Sequence, residues 1–330
     1  MHDQLVLGID GGGTKTVAWL ATCCASGETP VVGRGLAGPV NPQTVGFDAA
    51  MENLDLAVAA AFKDAAAQRG PVAAAVLGLA GSDRDENRQA FGHWARQRRL
   101  ADRFRVVHDA LPVLAIASPP GCGIALICGT GSLAFGSNRD ARVARAGGWG
   151  FLFGDEGSGY AIARAGLRAA AKAADGRAPE TRLLPAMLRR FDLKEPPQLI
   201  PAVYRIADDR GEVAALAEVV TQAAGENDPT AGRILDDAAG ELAAMVSAVA
   251  GKLFSRREPI SLALAGGVLL GAECLQTRLS DRLAALKLNL EPVVRVPDPV
   301  VGAVRLAQSL AAGDWPPGLA RAVPSRTIDR

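Results

Sequence analysis

A glycine-rich turn near the start of the chain is the first segment whose residues could do chemistry. Residues 11–16 read Gly-Gly-Gly-Thr-Lys-Thr and lie between two apolar runs. A P-loop or a dinucleotide-binding turn would deliver phosphate to the N-terminus of a helix, but no helical pattern follows these glycines. The segment therefore predicts a β-hairpin whose turn offers backbone N–H groups and hydroxyls to an anion. The anion-binding residues would be Gly11, Gly12, Gly13, Thr14, Lys15 and Thr16.

The residue before this turn, Asp10, could hold a hydrated divalent cation beside the bound anion. Mg²⁺ prefers oxygen ligands and keeps several of its waters, so one carboxylate at the turn would be enough. An ordinary glycine-rich hairpin is the alternative interpretation. Lys15 could equally contact the anion or lie in solvent.

Two later segments repeat this theme. Gly129, Thr130, Gly131 and Ser132 again form a small-residue turn between two apolar runs, and Gly266 and Gly267 end a third apolar run. This order predicts an internally duplicated architecture, in which each half offers a loop to the same polyphosphate. Small residues at 266–267 would let a flat ligand lie against the backbone.

Composition limits the class of protein. A chain of 330 residues exceeds the size of one usual core, so two domains are expected. With 36 basic and 35 acidic side chains, charge gives no case for binding nucleic acid or a membrane surface. No signal peptide or membrane-spanning run is apparent, which predicts a cytoplasmic protein. Five cysteines without a C-x-x-C pair, and three histidines, exclude a recognisable zinc site.

Apolar periodicity predicts the elements that position these turns. Strands are expected at 30–37, 72–80, 104–108, 260–265 and 289–296, besides the strands that flank the two turns. Helices are expected at 47–67, 85–99 and 300–310, and residues 158–255 are predicted to be largely helical. Residues 119–121 are a plausible hinge, and the last 15 or so residues look like a loose tail.

Three further motifs carry a resemblance. They are His108-Asp109-Ala110, Gly147-Gly148-Trp149-Gly150 and the run 154–159, Gly-Asp-Glu-Gly-Ser-Gly. With the three glycine loops, they make the chain similar to the actin-like, sugar-kinase and Hsp70-type ATPase superfamily. Within it, the resemblance is greatest to the N-acetylglucosamine kinase group and the related BadF/BadG/BcrA/BcrD ATPases, over residues 5 to about 310.

The resemblance implies an α/β fold of two ribonuclease-H-like lobes that close on ATP, with the active site in the cleft between them. It places an N-terminal lobe at residues 1–117 and a C-terminal lobe with a helical insert at 118–298. Residues 299–330 would supply a helix returning to the N-terminal lobe, and then the tail.

The resemblance also implies roles for particular residues. The loops at 11–15, 129–132 and 266–267 would bind ATP, with Mg²⁺ near Asp10. Asp109 would be the catalytic base; the alternative is an Asp capping the helix that starts at Ala110. The amino sugar would be bound by Asn41, Asp109, Gly148, Trp149, Gly150, Asp155 and Glu156. Asp155 and Glu156 could instead cap the next helix, and Trp149 could instead fill a core.

The activity implied is ATP-dependent phosphorylation of the 6-hydroxyl of N-acetylglucosamine, with glucosamine as the alternative substrate. A second hypothesis is an ATP-driven electron-transfer activator, which needs two exposed cysteines per subunit for a shared iron–sulfur cluster. Cys122 and Cys128, or Cys23 and Cys24, are the candidates. A sugar-sensing repressor would need an added DNA-binding segment, which the sequence does not show. A homodimer is the default assembly for this group.

Overall fold

The computed structural model describes residues 4–23, 30–117, 121–255 and 257–320. The cysteine at 24, the two prolines of the expected hinge and most of the expected tail lie outside these ranges. Within the described part, no helix is both long and apolar enough to cross a membrane.

In the part of the chain that the structure describes, ten strands form two sheets of five. The first sheet has the order β3-β2-β1-β4-β5 and the second the order β10-β9-β6-β7-β8. The strands of the first sheet are β1 (Leu5–Gly11), β2 (Thr16–Thr22), β3 (Val31–Ala37), β4 (Val72–Leu79) and β5 (Ala101–His108). Those of the second are β6 (Gly123–Cys128), β7 (Ser132–Ser137), β8 (Val143–Gly147), β9 (Ile260–Ala265) and β10 (Leu290–Val296).

The two sheets have the same topology, which confirms the expected duplication. In each sheet three consecutive strands run antiparallel, and the first of them then pairs in parallel with a fourth strand, which pairs in parallel with a fifth. The parallel strands of one sheet end at the same edge, where the loops that follow them come together.

Twelve helices occur in the described residues. They are α1 (Pro42–Asp64), α2 (Asp85–Gln97), α3 (Ala110–Ala117), α4 (Gly159–Ala174), α5 (Leu183–Arg190), α6 (Leu199–Arg205), α7 (Arg210–Ala215), α8 (Ala217–Gly225), α9 (Pro229–Leu253), α10 (Gly267–Gly271), α11 (Glu273–Ala285) and α12 (Val300–Ala312). Single 3₁₀ turns lie at Pro196–Gln198 and Pro317–Leu319.

Alternation along the strands divides the core into layers. Leu7 and Ile9 of β1 pack with α1 and α2 on the outer face of the first sheet, whereas Val6 points to the inner face. The inner faces of both sheets share one cluster built around α3 and α12. On the outer face of the second sheet, α9 packs across β6, β7 and β8 and supports the surrounding helices.

Helix α1 spans Pro42–Asp64, but Gly46, at φ +78°, is not helical and separates a short first turn, capped by Asn41, from the helix predicted to start at Phe47. Two local predictions were wrong in detail. Strand β5 begins at Ala101 rather than at 104, and it lies at the edge of the sheet, where Asp102 and Arg103 are exposed. Strand β8 was not predicted, because an edge strand needs no apolar run.

The helix α12 lies directly on β1 and against α3, although it is far from both in sequence. A Cβ on Gly302 would lie 1.9 Å from the carbonyl oxygen of Pro112, and a Cβ on Gly8 would lie 2.5 Å from the amide nitrogen of Val304. These backbones therefore approach more closely than any side chain would permit. The domain bounds expected from the sequence remain a prediction, but α12 does pack on the first sheet.

We expect Gly302→Ala to lower the free energy of unfolding by about 1–3 kcal/mol, since the new methyl must push α12 away from α3. Denaturant unfolding measures this change. Gly251→Ala is the matched control, because it is also helical and has open space around it. The control should be neutral or stabilising by up to about 1 kcal/mol, and equal losses in both variants would contradict this packing.

Candidate active site

The first glycine turn is held rigidly between neighbouring strands. The N–H of Gly12 donates to the carbonyl of Lys15 at 2.9 Å and closes the hairpin. The carbonyls of Gly11 and Gly12 accept the N–H groups of Ala80 and Val40 at 2.8 and 3.2 Å. Thr14 and Lys15 are left exposed at the tip of the turn.

The turns of the two sheets meet. The hydroxyl oxygens of Thr14 and Thr130 are 3.1 Å apart and form a hydrogen bond, although 116 residues separate them in sequence. The two small-residue turns therefore face each other, as the sequence predicted for loops that offer hydroxyls to one polyphosphate.

Thr16 has a different role from the one expected. Its side chain is buried, and its hydroxyl donates to the carbonyl oxygen of Gly38 at 2.6 Å. Because β2 begins at this residue, the alternation of the strand turns the side chain away from the turn and toward β3. Its predicted contact with an anion was wrong.

The third glycine segment lies beside the second turn. Strands β6 and β9 are neighbours, and Gly266 at φ +100° follows β9 so closely that a Cβ there would lie 2.3 Å from the carbonyl oxygen of Cys128. A Cβ on Gly129 would be 4.0 Å from the amide nitrogen of Gly267. Only glycine fits at 266, which explains the small residues in this segment.

Asp10, at the end of β1, carries an unusual charge environment. Burial, the nearby carboxylates of Asp109 and Asp298, and only partial compensation by Lys15 raise the pKa of Asp10 to about 7. A carboxylate that is this reluctant to ionise beside two others would be stabilised by a cation. Among the described residues, however, no group of three or more metal-binding side chains is arranged as a complete metal site.

Asp109 follows β5 and immediately precedes α3. Its Oδ1 lies 2.8 Å from Nδ1 of His108, while the N–H of Ala110 also points at that nitrogen, at 3.1 Å. Nδ1 can either donate to Asp109 or accept from Ala110, but not both. Oδ1 is buried and has no well-directed hydrogen-bond donor.

Opposing effects set the ionisation of this pair. Burial by itself would raise the pKa of Asp109, but the charge of His108 and backbone amides outweigh it and hold the pKa below its usual value. Burial likewise disfavours the charged form of His108, and Asp109 reverses this and raises its pKa. Asp109 is therefore a buried carboxylate that stays ionised because His108 pairs with it.

The segment 154–159 supports the second turn. The N–H of Ser132 donates to Oδ1 of Asp155 at 3.3 Å, and its hydroxyl donates to the carbonyl of Glu156 at 2.6 Å. Asp155 is buried, and its φ of +57° is uncommon for a residue with a side chain. Burial raises its pKa, which Ser132 and Arg210 partly counteract.

The capping alternative for Asp155 and Glu156 was wrong. Ser158 is the N-cap of α4, and its hydroxyl accepts the N–H of Ala161 at 3.2 Å. The Glu156 side chain is exposed and extends from the same loop. Asp155 therefore braces the second turn, and Glu156 contributes its backbone carbonyl.

Asn41 caps α1 through its side-chain oxygen, which accepts the N–H of Gln43 at 3.1 Å. A Cβ on Gly81 would lie 3.1 Å from that same oxygen, so Asn41 packs against the turn that follows β4. Its amide nitrogen is the part of the side chain not used by the cap.

The segment 148–153, which we name the aromatic loop, follows β8. Gly148 is tied to the second turn, because its N–H donates to the carbonyl of Ser132 at 2.9 Å. Trp149 is 61% exposed and so does not fill a core. The guanidinium of Arg145 lies 5.4 Å from the centre of the Trp149 ring, and that of Arg210 lies 5.2 Å from the centre of the Phe151 ring.

Three charged residues here were not singled out from the sequence. Asp298 acts on Asp10 from the end of β10, and its position between two prolines at a strand-to-helix junction was a usable signal. No sequence pattern pointed to Arg145 or Arg210, because their contacts are with residues that only the fold brings close to them.

Comparison with proteins of known structure identifies the class. A candidate N-acetylglucosamine kinase from Chromobacterium violaceum superposes with a TM-score of 0.73 at 26% identity, covering 92% of this chain and 98% of that one. A ROK family glucokinase from Streptomyces griseus, solved with glucose and AMPPNP, superposes with a TM-score of 0.58 at 19% identity over 92% of this chain and 99% of that one. The fold is that of the two-lobed actin-like ATPases.

The chain belongs to the BadF/BadG/BcrA/BcrD ATPase family, whose model matches residues 7–307. It is also 32% identical, over 306 residues, to an N-acetylmuramic acid/N-acetylglucosamine kinase from Clostridium acetobutylicum, covering 93% of this chain and 99% of that protein. An N-acetyl-D-glucosamine kinase from Dictyostelium discoideum is 29% identical over 319 residues, covering 93% and 98%. The family expected from the motifs is confirmed.

The raised pKa of Asp10 makes a prediction about stability. The folded ligand-free protein holds this proton up to about pH 7, whereas the unfolded chain loses it near 3.8. The contribution of Asp10 is therefore fully favourable below pH 3.8, declines as pH rises, and is lost above about 7. We expect Asp10→Asn to be more stable than the parent at pH 8, by about 4 kcal/mol, since the pKa rises by about three units from 3.8 and one unit corresponds to about 1.4 kcal/mol.

Thermal unfolding of the ligand-free protein between pH 4 and pH 8 measures this difference. The advantage of Asp10→Asn should shrink toward the acid end of the range. Asp102→Asn, on the exposed edge of the same sheet, is the control for replacing a carboxylate by an amide. A constant difference between Asp10→Asn and the parent would mean that Asp10 has an ordinary pKa.

Proposed function

We propose that the protein is an ATP-dependent amino-sugar kinase that phosphorylates the 6-hydroxyl of N-acetylglucosamine. The observation that carries this proposal is Asp109, a carboxylate that His108 keeps ionised at the start of α3, the helix packed between the two sheets. The names of the relatives from Clostridium and Dictyostelium support an amino sugar as the acceptor.

The residues present fit ATP and Mg²⁺. The turns at 11–15 and 129–132 face each other, and a Cβ on Gly13 would meet nothing within 4 Å, so there is open space above the first turn. These turns would hold the phosphates, and Gly266 and Gly267 would lie under the nucleoside. Asp10 would hold Mg²⁺, in part through waters. The nucleotide supplies the phosphoryl group, and the cation neutralises charge on it.

Asp109 would orient the attacking hydroxyl. Its carboxylate would accept a hydrogen bond from the 6-hydroxyl and direct the oxygen lone pair at the phosphorus. Phosphoryl transfer depends more on positioning and charge neutralisation than on strong bases. The lowered pKa of Asp109 suits this role, because the carboxylate stays ionised until the hydroxyl proton is released late in the reaction.

Asn41 and Asp155 would bind other sugar hydroxyls. Asn41 would donate through its amide nitrogen, since its oxygen already caps α1. Asp155 would accept on the carboxylate oxygen that Ser132 does not use. The aromatic loop at Gly148, Trp149 and Gly150 would enclose the acetamido side, with Glu156 at the rim.

Two alternatives differ in the ligand that they need. Glucosamine would require a group that recognises a free ammonium in place of the acetamide. An iron–sulfur activator would require exposed thiolates, but Cys128 is buried, its thiol donates to the carbonyl of Gly157 at 3.3 Å, and burial raises its pKa to about 12. This buried thiol makes the activator the weaker hypothesis.

Measuring ADP release with Mg²⁺ and ATP in the presence of different sugars tests the proposal. The panel is N-acetylglucosamine, N-acetylmuramic acid, glucosamine, N-acetylmannosamine and glucose. We expect the largest stimulation with N-acetylglucosamine, and a phosphomonoester at the 6-position by NMR. Stimulation by glucosamine alone would change the substrate, and ADP release indifferent to every sugar would contradict a kinase.

The assignment of Asp109 makes a separate prediction. Asp109→Asn should lower kcat by roughly 10²–10⁴ because an amide carries no negative charge and cannot take the hydroxyl proton, and the Kd for ATP should change little. Steady-state kinetics and calorimetric titration measure the two quantities. Asp102→Asn, on the exposed part of the same strand, is the control. A kcat within a few-fold of the parent would remove Asp109 from the mechanism.

A further inference from the structure

The aromatic loop exposes more apolar surface than its neighbours. Trp149, Leu152 and Phe153 are 61, 79 and 74% exposed within five consecutive positions. The Trp149 and Phe153 rings contact each other, with centres 6.3 Å apart, and the Phe151 ring packs edge-on against Tyr160 at 5.3 Å. A loop with so little burial needs other contacts to hold one position.

Arg145 provides one such contact and connects it to the first lobe. Its guanidinium lies over the Trp149 ring, and its Nη1 is 2.6 Å from Oδ2 of Asp83. Asp83 lies between β4 and α2, in the first lobe, whereas Arg145 lies on β8 of the second sheet. The cation that holds Trp149 is therefore itself held by the opposite lobe.

Arg210 repeats this arrangement at the other end of the loop. Its guanidinium lies over the Phe151 ring and donates a hydrogen bond to the hydroxyl of Thr44. Thr44 lies in the first turn of α1, three residues after Asn41, so the contact again crosses between the lobes. Each arginine thus contacts one ring of the aromatic loop and, at the same time, one polar group of the first lobe.

We propose that Arg145 and Arg210 are positioning residues that hold the aromatic loop in place only while the two lobes lie together. The inference rests on the proposed function, because the loop would enclose the acetamido group of the sugar. When the lobes separate, Asp83 and Thr44 move away from the two guanidinium groups. The guanidinium groups then become hydrated and no longer hold the rings of Trp149 and Phe151 in place. The sugar pocket is therefore ordered only when the cleft between the lobes closes.

The sharpest test removes the partners and leaves both arginines in place. In the double variant Asp83→Asn/Thr44→Val, each guanidinium can still contact its ring, but Arg145 loses its charged partner in the first lobe and Arg210 loses its hydroxyl partner. We expect the KM for N-acetylglucosamine to rise about tenfold, from two weakened polar contacts, with the KM for ATP within about twofold. The ratio of ADP released to sugar phosphate formed should also rise, since a loose pocket admits water.

The fluorescence of Trp149 reports the loop independently of turnover. The chain has four tryptophans, so the Trp149 signal is obtained by subtracting the spectrum of Trp149→Phe. We expect its emission to change in Asp83→Asn/Thr44→Val and in Arg145→Gln/Arg210→Gln. Arg145→Lys/Arg210→Lys should recover only part of the KM, because lysine keeps the charge but cannot lie over a ring and bond the first-lobe group at the same time.

Arg34→Gln is the matched control. Arg34 lies 5.0 Å from the Trp19 ring on the neighbouring strand, so it makes the same kind of ring contact within one lobe and does not contact the aromatic loop. It should leave the KM and the Trp149 emission unchanged. An unchanged KM in both double variants, or equal effects in the control, would overturn the inference. Absence of sugar stimulation in the parent protein would instead overturn the proposed function, while the emission still tests the loop.

Discussion

The packing of α3 and α12 between the two sheets is the constraint on which the rest of the structure depends. Both sheets turn their inner faces to the same pair of helices, so one apolar cluster fixes the position of each sheet. The direct backbone contacts at Gly302 and Gly8 make this packing close and leave little freedom. Because the sheets are fixed in this way, the turns that follow their strands meet, and Thr14 reaches Thr130.

Charge then determines what these meeting turns can do. Asp10 lies near the end of β1 and Asp109 directly after β5, in the first sheet. Asp298 adds a third carboxylate that acts on Asp10. The surroundings of Asp10 and Asp109 have opposite effects on their ionisation. His108 keeps Asp109 ionised, whereas burial and repulsion by nearby carboxylates keep Asp10 partly protonated near neutral pH. The first carboxylate is therefore suited to accept a hydrogen bond, and the second gains most from an added cation.

The sequence predicted what depends on local pattern. Glycine turns between apolar runs located both hairpins, and the repeated order of loops indicated the duplicated fold. Prediction from the sequence failed where a residue next to a turn also belongs to a strand, and where a contact joins residues that are far apart in the sequence. Thr16 looked like a ligand because it adjoins the turn, but strand alternation buries it. The partners of Arg145 and Arg210 lie 62 and 166 residues away, and no local pattern encodes such distances.

The position of α12 also has a consequence for how the protein is made. The first sheet is complete in sequence by residue 108, yet the helix that covers part of its inner face begins only at residue 300. A chain emerging from the ribosome therefore carries a half-covered sheet throughout synthesis of the second half. Until then, residues such as Val6, Ala74 and Val76 lack their final partners. The first sheet therefore reaches its final packing only after α12 has been synthesised, long after its own five strands.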